Sequence, residues 1–139
     1  MSAVTTCGVM GKVRILLADD HETILARVRR VLVEEFDVVG TVNNGRDAIG
    51  EVQRLDPDVL VIDISMRILD GLQAVSRLGS NCRTKVGFLT VHEDPDFVAA
   101  AFSVGASGYV VKEDVTTDLI PAIREALDGR TYISQSIHP

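Results

Sequence analysis

Short apolar segments alternate along the chain with longer stretches in which apolar residues recur every three or four positions. The apolar segments predict five strands, at Val13–Ala18, Val38–Val42, Val59–Ile62, Val86–Leu89 and Tyr109–Val111. The periodic stretches between and after them predict helices, because a helix that packs on a core presents one apolar face. Continuously apolar strands are typical of parallel sheets buried on both faces. The pattern therefore predicts an α/β fold, a doubly wound three-layer domain with a five-stranded parallel sheet.

The length, charge and aromatic content of the chain exclude several classes of function. The 139 residues suit one domain, the formal net charge is −6, and the aromatic residues are four Phe and two Tyr without Trp. An acidic chain with few aromatic side chains is poorly suited to bind phosphate backbones or to stack on bases. Cys7 and Cys82 match no metal or redox spacing, and no apolar run is long enough to span a bilayer. We expect a cytoplasmic protein that contacts neither membrane nor nucleic acid itself.

Four of the five predicted strands lead into residues that can take part in chemistry. Asp19 and Asp20 follow the first strand, Asp63 the third, Thr90 the fourth and Lys112 the fifth. The carboxyl ends of parallel strands meet at one edge of the sheet, where ligands bind. We therefore expect these side chains to lie together, although strand ends are also commonly polar because water reaches them.

Three carboxylates at one edge would repel each other, by about 4 kcal/mol for a close pair at an effective dielectric of about 20. They stay ionised together only around a cation, or one of them takes up a proton. Oxygen ligands completed by water favour Mg²⁺ over Ca²⁺. A metal ion and Lys112 beside a carboxylate suit phosphoryl binding, with Asp63 as the candidate nucleophile. The segment from Ile64 to Gly71 is long enough to leave Asp63 accessible.

These positions lie in segments that resemble the receiver domain of bacterial two-component response regulators, in the NarL/FixJ-like subgroup. The resemblance covers residues 12–134 and rests on four ordered blocks: Leu17 through His21, Val61 through Met66 with Asp70 and Gly71, Leu89 with Thr90, and Gly105 through Lys112. It implies a flavodoxin-like sheet with the strand order 2-1-3-4-5. It also implies a signalling switch and not an enzyme, with only self-phosphorylation from a phosphodonor and slow self-dephosphorylation.

The resemblance assigns the phosphoacceptor and the metal ligands. Asp63 would accept a phosphoryl group from a phosphohistidine of a sensor histidine kinase. Mg²⁺ would be bound by the carboxylates of Asp20 and Asp63 and by the backbone carbonyl of Ser65. Asp19 would act on the metal through a bound water.

The resemblance also assigns the residues that detect the phosphate. Lys112 would pair with the phosphoryl oxygens, and Thr90 would move toward them as the switch hydroxyl. Tyr109 would follow Thr90 inward, which makes these two the switch residues. An ordinary structural interpretation also exists, in which Thr90 ends a strand and Tyr109 belongs to the core. Phosphorylation is expected to produce a homodimer.

Two positions depart from the family pattern. Arg67 stands where the family usually has Pro, which removes a rigid turn and adds a cation near the acidic residues. Val91 stands where Ala or Gly is usual, and its β-branched side chain would crowd the phosphorylation pocket. His92 is expected to be solvent-exposed. These departures keep open a pseudo-receiver that acts as an interaction module without phosphorylation.

Two other protein classes compete with this interpretation. A Mg²⁺-dependent phosphohydrolase with an aspartyl nucleophile commonly has a second Asp two residues later, where this chain has Ser65. A flavin-binding domain of the same topology would need a Ser-, Thr- or Gly-rich phosphate cradle after the first strand. The residues there are Asp19, Asp20, His21 and Glu22, which would repel a phosphate.

The expected domain organisation has three parts. Residues 1–11 form a flexible N-terminal tail, residues 12–130 the receiver domain, and residues 131–139 the start of a linker or a C-terminal tail. Members of the subgroup usually continue into a helix-turn-helix domain. DNA contact is therefore expected through a C-terminal domain missing from this chain, with a stand-alone receiver as the alternative.

Overall fold

Six parallel strands form a single sheet in the computed structural model, which describes residues 12–79 and 82–137. The strands are β1 (Arg14–Ala18), β2 (Asp37–Val42), β3 (Val59–Ile62), β4 (Lys85–Thr90), β5 (Gly108–Val111) and β6 (Tyr132–Ile133). Their order is β2-β1-β3-β4-β5-β6, which confirms the predicted order and adds a sixth strand. The tail predicted for residues 1–11 lies outside the described residues.

Helices cover both faces of the sheet. They are α1 (Glu22–Leu32), α2 (Gly45–Leu55), α3 (Gly71–Leu78), α4 (Pro95–Ser103) and α5 (Val115–Leu127), with one turn of 3₁₀-helix at Lys112–Asp114. The apolar sides of α1 and α5 pack on one face, and those of α2, α3 and α4 pack on the other. No helix among the described residues is both long and apolar enough to cross a membrane.

Strand β1 shows why the strands are continuously apolar. Successive side chains of a strand point to opposite faces. Accordingly, Ile15 and Leu17 pack against α1 and α5, whereas Leu16 and Ala18 pack against the helices of the other face. All four are at most 2% exposed. Both faces of the sheet are therefore core, as the sequence pattern predicts.

Strand β6 falls in the segment for which a linker or tail is expected. It pairs in parallel with β5. Beyond the strand, the Ser134 amide donates to the carbonyl of Tyr109 at 2.9 Å, and the Ser134 hydroxyl accepts from the Val111 amide at 3.0 Å. Ser134 is only 1% exposed. The chain after α5 is therefore bonded along β5, the strand that leads to Lys112.

The segment between β3 and α3 contains a strained backbone position. Ile68 has a φ of 68° and is 67% exposed. The Leu69 amide donates to the Arg67 carbonyl at 2.7 Å, which closes a three-residue turn around Ile68. A β-branched residue is disfavoured in the left-handed region, at a cost of about 1 to 3 kcal/mol.

Replacing Ile68 with Gly is expected to raise the free energy of unfolding by about 1 kcal/mol, since relieved strain exceeds the added entropy of the unfolded chain. Urea denaturation measures the change. Val33→Gly is the matched control, because Val33 is also β-branched and exposed but has a φ of −60°. This control should lose stability. A similar loss in both variants would show that Ile68 is not strained.

Candidate functional site

The carboxyl edge of the sheet gathers the residues that the sequence singles out at strand ends. Asp19 and Asp63 follow Ala18 and Ile62, which are register partners in the pairing of β1 with β3. The Asp63 amide donates to the Ala18 carbonyl at 2.9 Å, which continues this pairing to the acidic residues. Lys112 directly follows β5. Parallel pairing thus sets the three charged side chains side by side.

Lys112 forms a buried ion-pair centre with two carboxylates. Its Nζ lies 2.8 Å from Asp19 Oδ2 and 3.0 Å from Asp63 Oδ2, and it donates a well-aligned hydrogen bond to Asp63. Asp19 and Asp63 are each 3% exposed, and Lys112 is 6% exposed. The expectation that the following loop leaves Asp63 accessible is therefore wrong. The Ser65 amide of that loop donates to Asp63 Oδ1 at 3.3 Å.

Burial and neighbouring charges shift the pKa values of Asp63 and Lys112. Burial raises the pKa of Asp63, the nearby Asp19 carboxylate raises it further, and Lys112 acts against both. Burial alone would lower the pKa of Lys112, but the hydrogen bonds and charges of Asp19 and Asp63 outweigh it and raise that pKa. The lysine therefore stays protonated, while ionised Asp63 is held at an energetic cost.

Asp20 and His21 complete the acidic cluster. The His21 amide and Nδ1 lie 2.9 and 3.0 Å from Asp19 Oδ1, and His21 Nδ1 lies 3.2 Å from Asp20 Oδ1. One ligand atom from each of Asp19, Asp20, His21 and Asp63 falls within 4.8 Å of the other three. The sequence pattern predicts no role for His21, although its place directly after two acidic residues is a signal of one.

The cluster has the properties of a cation site. Among the described residues, Asp19 Oδ2 and Asp20 Oδ1 are buried oxygens that accept no well-aligned hydrogen bond. Lys112 supplies one positive charge against three carboxylates. Lys112, which lies 2.8 Å from Asp19 Oδ2, offsets only part of this negative charge, and a bound cation would offset the rest. The donor set fits a hard divalent ion such as Mg²⁺ and could hold one.

Both candidate switch residues are bonded to the backbone of His92. The hydroxyl of Thr90 accepts from the His92 amide at 3.2 Å, and the hydroxyl of Tyr109 donates to the His92 carbonyl at 2.8 Å. Both side chains are fully buried. Burial, with the charges of Asp94 and Asp63, raises the pKa of Tyr109 to about 12, so this phenol remains a hydrogen-bond donor. The two candidate switch residues therefore both bond to the backbone of one residue, His92.

The His92 ring links two loops beside the site. Its Nε2 lies 2.8 Å from the Ser65 hydroxyl, and the ring stacks on Phe97 with centroids 4.1 Å apart. The expectation of a solvent-exposed histidine is therefore wrong, because the residue is half-buried. Its ring is held by a hydrogen bond to Ser65 and by stacking on Phe97. No spacing in the sequence indicates that the loops after β3 and β4 meet at this pair.

The two departures from the family pattern lie at the surface. Val91 is 64% exposed, so its side chain lies at the surface, and its crowding of the phosphorylation pocket stays a prediction. Arg67 lines a cleft of about 610 Å³ together with Asp19, Asp20 and Glu22. The cation that replaces Pro thus stands at the entrance to the acidic cluster, as its sequence position predicts.

Comparison with known proteins identifies the family. The sequence family described as the response regulator receiver domain matches residues 15–124. A solved two-component response regulator of the LuxR family from Aurantimonas sp. SI85-9A1 superposes with a TM-score of 0.84 at 30% identity, covering 91% of this chain and 92% of the other. This chain belongs to the response regulator receiver domain family.

Curated relatives are longer than this chain. The response regulator UvrY of Escherichia coli K12 is 34% identical over 128 residues, which are 90% of this chain and 59% of UvrY. The transcriptional regulatory protein DegU of Brevibacillus brevis is 33% identical over 129 residues, 91% of this chain and 55% of DegU. The chain thus spans somewhat more than half the length of these relatives.

Proposed function

We propose that this chain is a phosphorylation-dependent switch in which Asp63 is the phosphoacceptor. The observation that carries the proposal is the buried centre in which Lys112 lies within 3.0 Å of both Asp63 and Asp19. An oxygen of Asp63 attacks phosphorus, and the bond from phosphorus to the imidazole nitrogen of a phosphohistidine breaks. The imidazole leaves with the electron pair of that bond and as a neutral ring, because its other nitrogen or a proton from solvent supplies the ring N–H. Lys112 already contacts the attacking carboxylate and can neutralise the incoming oxygens.

A divalent ion, Mg²⁺ in this proposal, belongs to the same site. The carboxylates of Asp20 and Asp63 and the backbone carbonyl of Ser65 would bind it, with Asp19 acting through water. When bound, the ion supplies charge neutralisation for the phosphoryl oxygens. The buried oxygens of Asp19 and Asp20 described above support this assignment.

The proposed switching step uses the backbone of His92, to which both Thr90 and Tyr109 bond. A phosphoryl group on Asp63 adds negative charge and acceptor oxygens close to the end of β4. A move of the Thr90 hydroxyl toward these oxygens would draw it away from the His92 amide, from which it now accepts a hydrogen bond. The loop that holds His92 would then shift, and with it the His92 carbonyl to which Tyr109 donates. Phosphate thus favours the state in which both residues have moved, because only that state makes the new contacts.

Partners follow from the family and remain part of the proposal. A sensor histidine kinase would donate the phosphoryl group, and a homodimer would form on phosphorylation. The relatives that this chain matches extend well beyond it, and DegU is named as a transcriptional regulatory protein. We therefore propose that DNA is contacted through a separate output domain. Residues 131–139 would then lead toward that domain.

Intact-mass spectrometry with a small phosphodonor tests the phosphoacceptor. With Mg²⁺ and acetyl phosphate, the wild-type chain should gain one phosphoryl group that is labile to base. Asp63→Asn should gain none, because an amide is not a nucleophile toward phosphorus. The exposed Asp37→Asn serves as the matched control and should be labelled like the wild type.

A second measurement covers the case in which acetyl phosphate does not label the chain. It shows whether the phosphodonor is unreactive or the site cannot hold a phosphoryl group. Beryllofluoride mimics a phosphoryl group on a carboxylate and needs no chemical donor. With Mg²⁺ it should raise the melting temperature of the wild type but not of Asp63→Asn. Labelling that persists in Asp63→Asn would refute the assignment. A wild type that responds to neither reagent would instead support the pseudo-receiver, and steady hydrolysis of phosphate esters would support the phosphohydrolase.

A further inference from the structure

Arg67 is the only positively charged residue among the described residues that line the cleft at the acidic cluster. We propose that Arg67 sets the electrostatic balance of this entrance, where its charge draws anionic phosphodonors toward Asp63 and weakens the binding of Mg²⁺. The inference rests on the proposed function, since the donor and the ion are those of the Asp63 site. It gives a role to a residue that departs from the family pattern.

The cleft of about 610 Å³ has an excess of negative charge. Four carboxylates line it, those of Asp19, Asp20, Glu22 and Asp47. A phosphodonor such as acetyl phosphate is itself a dianion at neutral pH and is repelled by such a surface. A cleft focuses the field of the charges that line it and so changes the rate at which a charged substrate arrives. One cation at this entrance therefore has a measurable effect on the approach of a donor.

The guanidinium of Arg67 is not neutralised by a neighbouring carboxylate. Four other arginines each form an ion pair with an acidic side chain: Arg54, Arg83, Arg124 and Arg130. Arg67 is exposed and forms no ion pair within residues 12–79 and 82–137, although four carboxylates line the same cleft. Its charge therefore acts on ions that enter the cleft.

The backbone of Arg67 is anchored beside the cleft. It forms a parallel bridge with Asn44, which is 7% exposed and whose side chain caps α2 by accepting from the Asp47 amide at 2.9 Å. The Leu69 amide donates to the Arg67 carbonyl. A Cβ on Gly45 would lie 2.1 Å from the Leu69 carbonyl oxygen, so this loop lies directly on the first turn of α2. The position of the charge is therefore set by the fold.

A positive charge at the entrance acts with opposite signs on the two species that the site binds. It attracts the phosphoryl dianion and repels the divalent cation. Loss of the charge should therefore slow phosphorylation and tighten Mg²⁺ binding. A disturbed arrangement of the acidic residues would instead impair both. Because Arg67 is exposed, added salt should screen both effects.

Arg67→Met, measured at low ionic strength, tests the inference. With the same saturating Mg²⁺ for each variant, labelling by acetyl phosphate, followed by intact-mass spectrometry, should slow about threefold or more. Isothermal titration of the unphosphorylated chain should show Mg²⁺ bound about two- to threefold more tightly. Arg67→Lys keeps the charge and should stay close to the wild type in both measurements. Both differences should shrink in about 0.5 M salt.

Arg30→Met is the matched control, because it removes the same charge from an exposed arginine in the last turn of α1. Arg30 lies eight residues beyond Glu22, about 12 Å along the helix, and does not line the cleft. This control should change neither measurement.

Three results would each overturn the inference: unchanged labelling in Arg67→Met, weaker Mg²⁺ binding in that variant, or a loss of labelling that Arg67→Lys shares. A wild-type chain that takes no label would refute the proposed function and this inference with it. A labelled wild type with unchanged labelling in Arg67→Met would refute this inference alone.

Discussion

Lys112→Met is expected to lower the free energy of unfolding at neutral pH by about 3 to 5 kcal/mol, the usual cost of removing one partner from a buried ion pair. Methionine retains much of the apolar stem but removes the one side chain among the described residues that forms an ion pair with both Asp19 and Asp63. Two buried carboxylates would then face each other without a counter-charge. The expected loss is therefore electrostatic and should depend on pH.

The sign of that dependence follows from Asp63. Its pKa is raised in the folded chain, chiefly by burial, and loss of Lys112 removes the charge that acts against this rise. A carboxyl group with a raised pKa contributes stability that is present below the ordinary Asp value of about 3.9 and is lost as pH rises through the folded pKa. The deficit of Lys112→Met should therefore be small near pH 4 and widen toward neutral pH.

Urea denaturation of wild type and variant across this pH range measures the effect. Lys85→Met is the matched control, because Lys85 is exposed at the start of β4 and forms no ion pair among the described residues. This control should change stability by less than about 0.5 kcal/mol at every pH. A deficit in Lys112→Met that does not vary with pH would show that lost packing, and not carboxylate repulsion, causes it.

The parts of the site set by the sheet could be predicted from the sequence. Continuously apolar strands require a parallel sheet, and a parallel sheet brings all strand ends to one edge. That reasoning places Asp19, Asp63 and Lys112 together, and the structure shows them in contact. It does not reveal that Asp19 pairs directly with Lys112, because side-chain distances depend on rotamers and on the loops above the sheet.

Contacts between loops and in short elements could not be predicted. The bond of Ser65 to His92 joins residues 27 positions apart in segments without periodicity. Strand β6 has only two residues, Tyr132 and Ile133, too few for an alternating or continuous apolar pattern to stand out. Its position depends instead on hydrogen bonds to β5 and on burial of Ser134, which is a polar residue. Tertiary contacts, and not local sequence, fix these features.

Gly71 lies where the first turn of α3 meets the phosphoacceptor. A Cβ on Gly71 would lie 2.1 Å from the Asp63 carbonyl oxygen and 3.0 Å from the Ile64 Cα. Both are backbone atoms, which cannot rotate away as a side chain can. The Gly71 amide also donates to the Ile64 carbonyl at 2.7 Å, which fixes this close approach. Any side chain at position 71 must therefore displace the backbone that carries Asp63.

We expect Gly71→Ala to lower the free energy of unfolding by about 3 kcal/mol or more, at the upper end of the cost of overpacking. The same displacement should slow labelling of Asp63 by acetyl phosphate, because the carboxylate loses its alignment with Lys112. Gly50→Ala is the matched control, since Gly50 lies inside α2 with nothing within 4 Å of an added Cβ.

Gly50→Ala is expected to change the free energy of unfolding in the opposite direction. Alanine in an exposed helix interior is favoured over glycine by about 0.5 to 1 kcal/mol, so Gly50→Ala should stabilise the chain and leave labelling unchanged. If Gly71→Ala lowers the free energy of unfolding and Gly50→Ala raises it, the loss at position 71 comes from the close approach there. It does not come from a general effect of replacing a helical glycine. Stabilisation by both substitutions would mean that the backbone near Asp63 yields freely, and that the phosphoacceptor is not held in place by Gly71.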